Sequence, residues 1–289
     1  MRLEDEDQSS NIEDRRGGGG RRVGGMGIGA VALALVVSYF TGIDPRTLLG
    51  VAESLQGGQG AGVEQSAPID PANDPEAGMK AEMAKILRKT ETTWGAIFQQ
   101  AGAQYEAPVL VLFRGQTPTA CGTGQAAMGP FYCPGDRKVY LDMGFFDEMA
   151  QRFSAGGDFA RAYVIAHEIG HHVQNLLGIS AQTNRLRQRL SEVEYNKVSV
   201  QVELQADCFA GVWANHANRV KAFLDPQDVD EALRAANAIG DDMLQKQARG
   251  AVVPDSFTHG SSAQRVRWFK TGFDNGSVQT CDTFKASGL

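Results

Sequence analysis

From residue 76 onward, the hydrophobic pattern is mostly helical. Met79, Met83, Ile86, Leu87, Trp94, Ile97 and Phe98 recur three or four positions apart and predict a helix over 76–104. Residues 108–114 are a β-rich apolar run and predict a strand, and 138–141 predict a second, shorter one. Helical spacing returns over 145–153. It continues over 158–177, where Phe159, Ala162, Tyr163, Ala166, Ile169, Gly170, Val173 and Leu177 form one apolar stripe and Gly178 is placed to stop it. A long helix is expected over 183–217 and two more over 226–249 and 261–271, the last capped by Ser261 or Ser262. Few strands among many helices imply an α+β domain, mostly helical with a small sheet.

The first 74 residues read differently. Residues 1–22 are charged and then glycine-rich, the composition of a disordered tail. Residues 23–43 carry no charge, and 28–40 are nearly all apolar. A run of about 20 such residues is long enough to cross a bilayer. Arg15, Arg16, Arg21 and Arg22 precede it, so the positive-inside rule keeps the N-terminus in the cytoplasm and exports the rest. No small-x-small cleavage site follows Phe40, which favours an uncleaved transmembrane helix over a signal peptide. Residues 44–74, rich in Gly, Gln, Ala and Pro, read as a flexible linker, leaving 75–289 as the folded domain. A net charge of −6 leaves no strong basic patch and argues against a nucleic-acid partner.

The candidate chemistry lies on two of the predicted helices. His167, Glu168 and His171 spell His-Glu-x-x-His on the 158–177 helix. Histidines at i and i+4 leave one face about a turn apart, a spacing that suits two ligands of one tetrahedral Zn²⁺. Glu168 projects beside them, where it can deprotonate a water activated by the metal. Downstream, Glu203 and Asp207 repeat the i, i+4 spacing within a small and apolar stretch. Glu203 is the expected third ligand, and Asp207 the acceptor for the free ring N–H of a ligand histidine. Ala206, Ala210 and Gly211 are small enough for the two helices to approach closely. His172 leaves its helix about 100° from His171 and His216 lies on the second helix; both are expected to be structural. His259 precedes the last helix in Thr258-His259-Gly260 and is a candidate donor to a developing oxyanion, with Arg265 orienting a carboxylate or the loop.

Together these motifs resemble the gluzincin class of zinc metallopeptidases, and the wider context resembles the bacterial neutral zinc metallopeptidase family (YpfJ-like). The matching stretches are Cys133-Pro134-Gly135-Asp136, Val139-Tyr140-Leu141-Asp142, His167 to His172, Glu203 to Gly211, Thr258-His259-Gly260 and Gln264-Arg265. They cover most of the chain after about Asp70, with a weaker likeness to HtpX-like and CAAX-protease-like membrane peptidases. The resemblance implies a zincin-like domain and supports the oxyanion role of His259. It also implies that an extended peptide adds to an edge strand above the zinc helix, with 137–142 as that strand.

The expected protein is thus a zinc endopeptidase acting on peptide or protein substrates, held by one transmembrane helix to the bacterial cytoplasmic membrane with its catalytic domain in the periplasm. The alternative is an inactive zinc-binding interaction module with a peptidase-like fold. In an exported domain the four cysteines are expected to pair. Cys121–Cys133 and Cys208–Cys281 are favoured, although four cysteines allow three pairings. Oligomeric state and substrate identity are left open.

Overall fold

The computed structural model describes residues 1–17, 70, 72–153 and 155–286. Met1–Arg16 and Asp70–Leu289 form one compact unit. Its strands are β1 (Ile12–Asp14), β2 (Val109–Phe113), β3 (Gln116–Thr119), β4 (Gly122–Gln125), β5 (Phe131–Cys133) and β6 (Lys138–Asp142). Four of them make a sheet in the order β1-β2-β6-β5, while β3 and β4 form a separate hairpin. β1, β2 and β6 are parallel, and β5 runs antiparallel to β6. The central strands are buried on both faces, as their unbroken apolar runs require. Leu110, Leu112, Val139 and Leu141 face the main core; Val111, Phe113 and Tyr140 face a smaller cluster with Cys133. The 137–142 segment is therefore not the edge strand expected. β6 lies between β2 and β5, and the edges are β1 and β5.

β1 overturns a second expectation. Residues 1–17 are not a disordered tail, because most of their charges are paired and their few apolar side chains are used. Leu3 is in the core, and Ser9 donates to Glu91 at 2.6 Å. Arg16, 3 % exposed, bonds to Asp14 at 2.7 Å and to Asp74 at 2.6 Å, and it reaches Glu76 at 3.1 Å. Asp74, at the end of the expected linker, thus belongs to the folded unit. The expected membrane segment, 23–43, and nearly all of the 44–74 linker lie outside the described residues. Among the described residues, no helix is long and apolar enough to cross a membrane.

Eight α-helices complete the described fold: α1 (Ala77–Gln100), α2 (Phe145–Phe153), α3 (Asp158–Leu176), α4 (Ile179–Arg187), α5 (Glu192–Val220), α6 (Asp228–Ala238), α7 (Asp241–Arg249) and α8 (Ser262–Asn275). The stripe over 158–177 is α3, and Gly178 follows it in the left-handed region. The helix expected over 183–217 is broken before Ser191, which starts α5 with a reciprocal capping box to Glu194. The helix expected over 226–249 breaks at Gly240. A Cβ there would lie 2.4 Å from the Ser262 amide nitrogen, so the start of α8 presses into the gap between α6 and α7.

α3 and α5 meet at Gly170, where a Cβ would lie 2.8 Å from the Ala206 carbonyl oxygen. This contact lies one residue before His171 and, on α5, between Glu203 and Asp207. It is the close approach that lets short carboxylates on one helix reach imidazoles on the other. The Cys208–Cys281 disulfide ties α5 to the C-terminal segment. Closing a loop of 73 residues contributes about 4 kcal/mol through the unfolded chain. Cys121–Cys133 joins the tip of the β3–β4 hairpin to β5.

Candidate metal centre

His167 and His171 project from α3 toward Glu203 on α5. The His167 Nε2 is 3.2 Å from Glu203 Oε2, and the His171 Nε2 is 3.4 Å from Oε1 of the same carboxylate. One donor atom from each of the three residues lies within 4.8 Å of the others. The remaining ring nitrogens are also engaged. His167 Nδ1 is 2.8 Å from Asp207 Oδ1, and His171 Nδ1 is 2.9 Å from Gln174 Oε1. Gln174 spends its own N–H groups on the Val202 carbonyl at 2.7 Å and on Gln205 Oε1 at 3.1 Å, which turns its oxygen toward His171. Both Nδ1 atoms are therefore donors to outer oxygens, and both Nε2 atoms face the shared space. Outer oxygens fix the orientation of metal-binding histidines in this way. Two imidazoles and one carboxylate are the donor set of an open zinc site.

Asp207 is fully buried and shared among several donors. It accepts from Tyr163 Oη at 2.5 Å, from Arg265 Nε at 2.9 Å and from Arg265 Nη2 at 3.0 Å, in addition to His167. Burial pushes its pKa up, but Arg265 and His167 outweigh burial and bring it to about 2. Glu203 is likewise penalised by burial, yet the His171 charge and bonds from both imidazoles hold it well below the usual carboxylate range. Burial would lower His167, but Asp207 overrides it and pushes it up to about 10. Permanently ionised acids around buried imidazoles make a place that favours a cation.

Glu168 is 7 % exposed, and burial raises its pKa. It lines a cavity of about 820 Å³ together with His167, His171, Phe131, Tyr132 and His259. The loop bearing His259 is organised by Asp241, the first residue of α7. One carboxylate oxygen of Asp241 accepts the amides of Thr258 at 2.8 Å, His259 at 2.6 Å and Gly260 at 3.0 Å; the other lies 3.1 Å from His259 Nδ1. The bond to Asp241 raises the pKa of His259. His172 is fully buried away from this cluster, and burial lowers its pKa to about 4, which keeps the ring neutral. His216 bonds to the Gly276 carbonyl oxygen at 2.6 Å. Neither joins the cluster, as expected.

The structure thus brings together His167, Glu168, His171, Glu203 and Asp207, sets His259 on the same cavity and gives Arg265 to Asp207. Three contributors went unread in the sequence: Tyr163, Gln174 and Asp241. The first two carried a faint local signal, standing one turn before His167 and three residues after His171 on the same helix.

The chain matches the protein family described as "Putative neutral zinc metallopeptidase" over residues 1–284. It is 48 % identical to "Uncharacterized protein YpfJ" of Escherichia coli strain K12 over 296 residues, covering 99 % of this chain and all of that protein. It is 45 % identical over 195 residues to "Uncharacterized protein Mb2605" of Mycobacterium bovis, covering 64 % of this chain and 65 % of the relative. The same figures hold for "Uncharacterized protein Rv2575" of Mycobacterium tuberculosis. No solved structure matches the chain. The family match takes in both the N-terminal strand and the two helices of the metal cluster, and this protein belongs to the neutral zinc metallopeptidase family.

Proposed function

We propose that this protein is an exported zinc-dependent endopeptidase, with His167, His171 and Glu203 as the metal ligands and Glu168 as the general base. The observation that carries this reading is the pair of Nε2 atoms turned onto one carboxylate, with a buried glutamate beside them on an 820 Å³ cavity. When bound, zinc supplies Lewis acidity, making water a stronger acid and a carbonyl a better electrophile. Burial raises the affinity of Glu168 for a proton, which suits it to take one from the attacking water and pass it to the leaving amine. His259, anchored on Asp241, offers a donor to the developing oxyanion. β5 pairs with β6 on one side only and borders the cavity through Phe131 and Tyr132, so its free edge is where an extended substrate adds as a strand.

Two disulfides support an oxidising compartment outside the cytoplasm. Membrane attachment through 23–43 is part of the same proposal, in a form that leaves residues 1–16 and the metal cluster on one side of the bilayer, since both belong to one folded unit. An inactive zinc-binding module would have no need for a buried carboxylate on the cavity beside the ligands. The test is hydrolysis of unfolded casein by the zinc-loaded protein. Wild type should cleave it and a chelator should stop it. Glu168→Gln should retain wild-type zinc by elemental analysis and lose turnover by about 10²-fold or more. Undiminished cleavage by that variant would remove Glu168 from the mechanism.

A further inference from the structure

β5 is a three-residue strand paired in the sheet with β6 alone among the described residues. A hydrogen-bonded chain also ties it directly to α3. His172 Nε2 is 2.6 Å from the Glu106 carbonyl oxygen, which can only accept, so this nitrogen carries the hydrogen. The neutral ring then accepts at Nδ1, and Tyr132 Oη donates to it at 3.0 Å. The Tyr132 oxygen in turn accepts from Asn175 Nδ2 at 3.1 Å. Every donor and acceptor in the chain has one assignment. Among the described residues, the side-chain hydrogen bonds joining α3 to β5 converge on the Tyr132 hydroxyl. The imidazole is also held edge-on by the rings of Tyr105 and Tyr132, at 5.7 and 5.4 Å. Glu106 closes the circuit by pairing its carboxylate with Arg137 in the β5–β6 turn.

We infer that Tyr132, His172 and Asn175 are positioning residues that hold the substrate-binding edge of β5 at a fixed height above the metal ligands. The inference rests on the peptidase reading above, in which the substrate backbone adds to β5. His172 follows His171 directly and Asn175 comes one turn later, so α3 carries the ligands on one face and the support for β5 on another. A change in the register of α3 moves both together, and the scissile bond stays aligned with the metal. This also gives the second histidine of His171-His172 a role that needs no metal.

The experiment compares two substrates of the zinc-loaded full-length protein: an octapeptide spanning a site cleaved in casein, and the same site trimmed to a capped dipeptide too short to pair along β5. Tyr132→Phe keeps the ring and removes the hydroxyl. Asn175→Leu removes the second donor at similar size. Each should raise KM for the octapeptide about 10-fold, in line with groups left unpaired inside the protein, with kcat and zinc content unchanged. Asn175 lies off the cavity lining, so Asn175→Leu should not alter kcat/KM for the dipeptide. Equal losses on both substrates, a loss confined to kcat, or loss of zinc would overturn the inference, since the chain would then serve the metal centre or the fold at large. Unchanged KM in both variants would do the same. His172→Phe, which strands the Glu106 carbonyl, should give a larger effect of the same kind where it folds. A wild-type protein that does not cleave casein would defeat the peptidase reading itself, and anisotropy of labelled overlapping octapeptides of the casein sequence on Glu168→Gln then decides this one. Binding weakened about 10-fold by Tyr132→Phe sustains it, and unweakened or absent binding overturns it.

Discussion

Arg265 and Asp207 are both buried, with 3 % and none of their surface exposed, and they bond through two nitrogens and two oxygens. Removing one partner of such a pair leaves an uncompensated charge in the interior, at a cost of about 3–5 kcal/mol. Arg265→Met should therefore lower the melting temperature and, because Asp207 aligns His167, weaken zinc binding. A chelator-competition titration run beside a thermal melt would show both, and wild-type zinc affinity in a folded variant would detach Arg265 from the metal centre. Asp207→Asn should retain the fold better and cost about 10- to 100-fold in zinc affinity. At this scale the sequence was legible wherever the geometry is local. His167 with His171, and Glu203 with Asp207, each share one helix face, so spacing alone reveals them. The pairing of Arg265 with Asp207 spans 58 positions and that of Tyr163 with Asp207 spans 44, and no local pattern encodes such contacts.

β1 shows how an element can be hidden by its own charge. Ile12, Glu13 and Asp14 sit in an acidic and arginine-rich stretch with too little apolar content to read as a strand. The strand forms because β2 offers an open edge, and because the charges find partners: Glu13 with Arg15 at 2.8 Å and Lys138 at 2.6 Å, Asp14 with Arg16 and Lys80. The bonds from Arg15 and Lys138 lower the Glu13 pKa to about 2. Its contribution to stability is thus fully present above the unfolded value near 4.5 and is lost as pH falls toward about 2. Hydrogen-exchange protection of the β1 and β2 amides should fall between pH 5 and pH 2.5. Glu13→Gln should show a smaller fall from a lower start, and an identical fall in that variant would place the acid response elsewhere. The break before α5 was legible in part, since Ser191 and Glu194 have capping-box spacing, but the unbroken helical stripe around them masked it. The break at Gly240 was not, because it is imposed by the amide of Ser262, 22 positions away.

On the scale of the whole molecule, the ion cluster of Arg16 acts as a knot. It joins residue 16 to Asp74, so the chain leaves the folded unit and comes back to it at nearly the same point, 58 positions later. A path that starts and finishes on one side of a bilayer must pass through it an even number of times or not at all. A single passage over 23–43, with residues 1–22 in the cytoplasm and the catalytic domain outside, would pull β1 away from β2 and break the knot. The compartment that holds the metal cluster therefore also holds residues 1–16, and Arg15 and Arg16 cannot be counted as cytoplasmic anchors while the strand is paired. Ser10 is exposed and offers a direct reading. In intact cells, Ser10→Cys should react with a membrane-impermeant maleimide whenever a cysteine placed at an exposed site of the domain, such as Lys270→Cys, does so. Labelling of one without the other would mean that the paired state and the membrane-inserted state are different conformations of the chain.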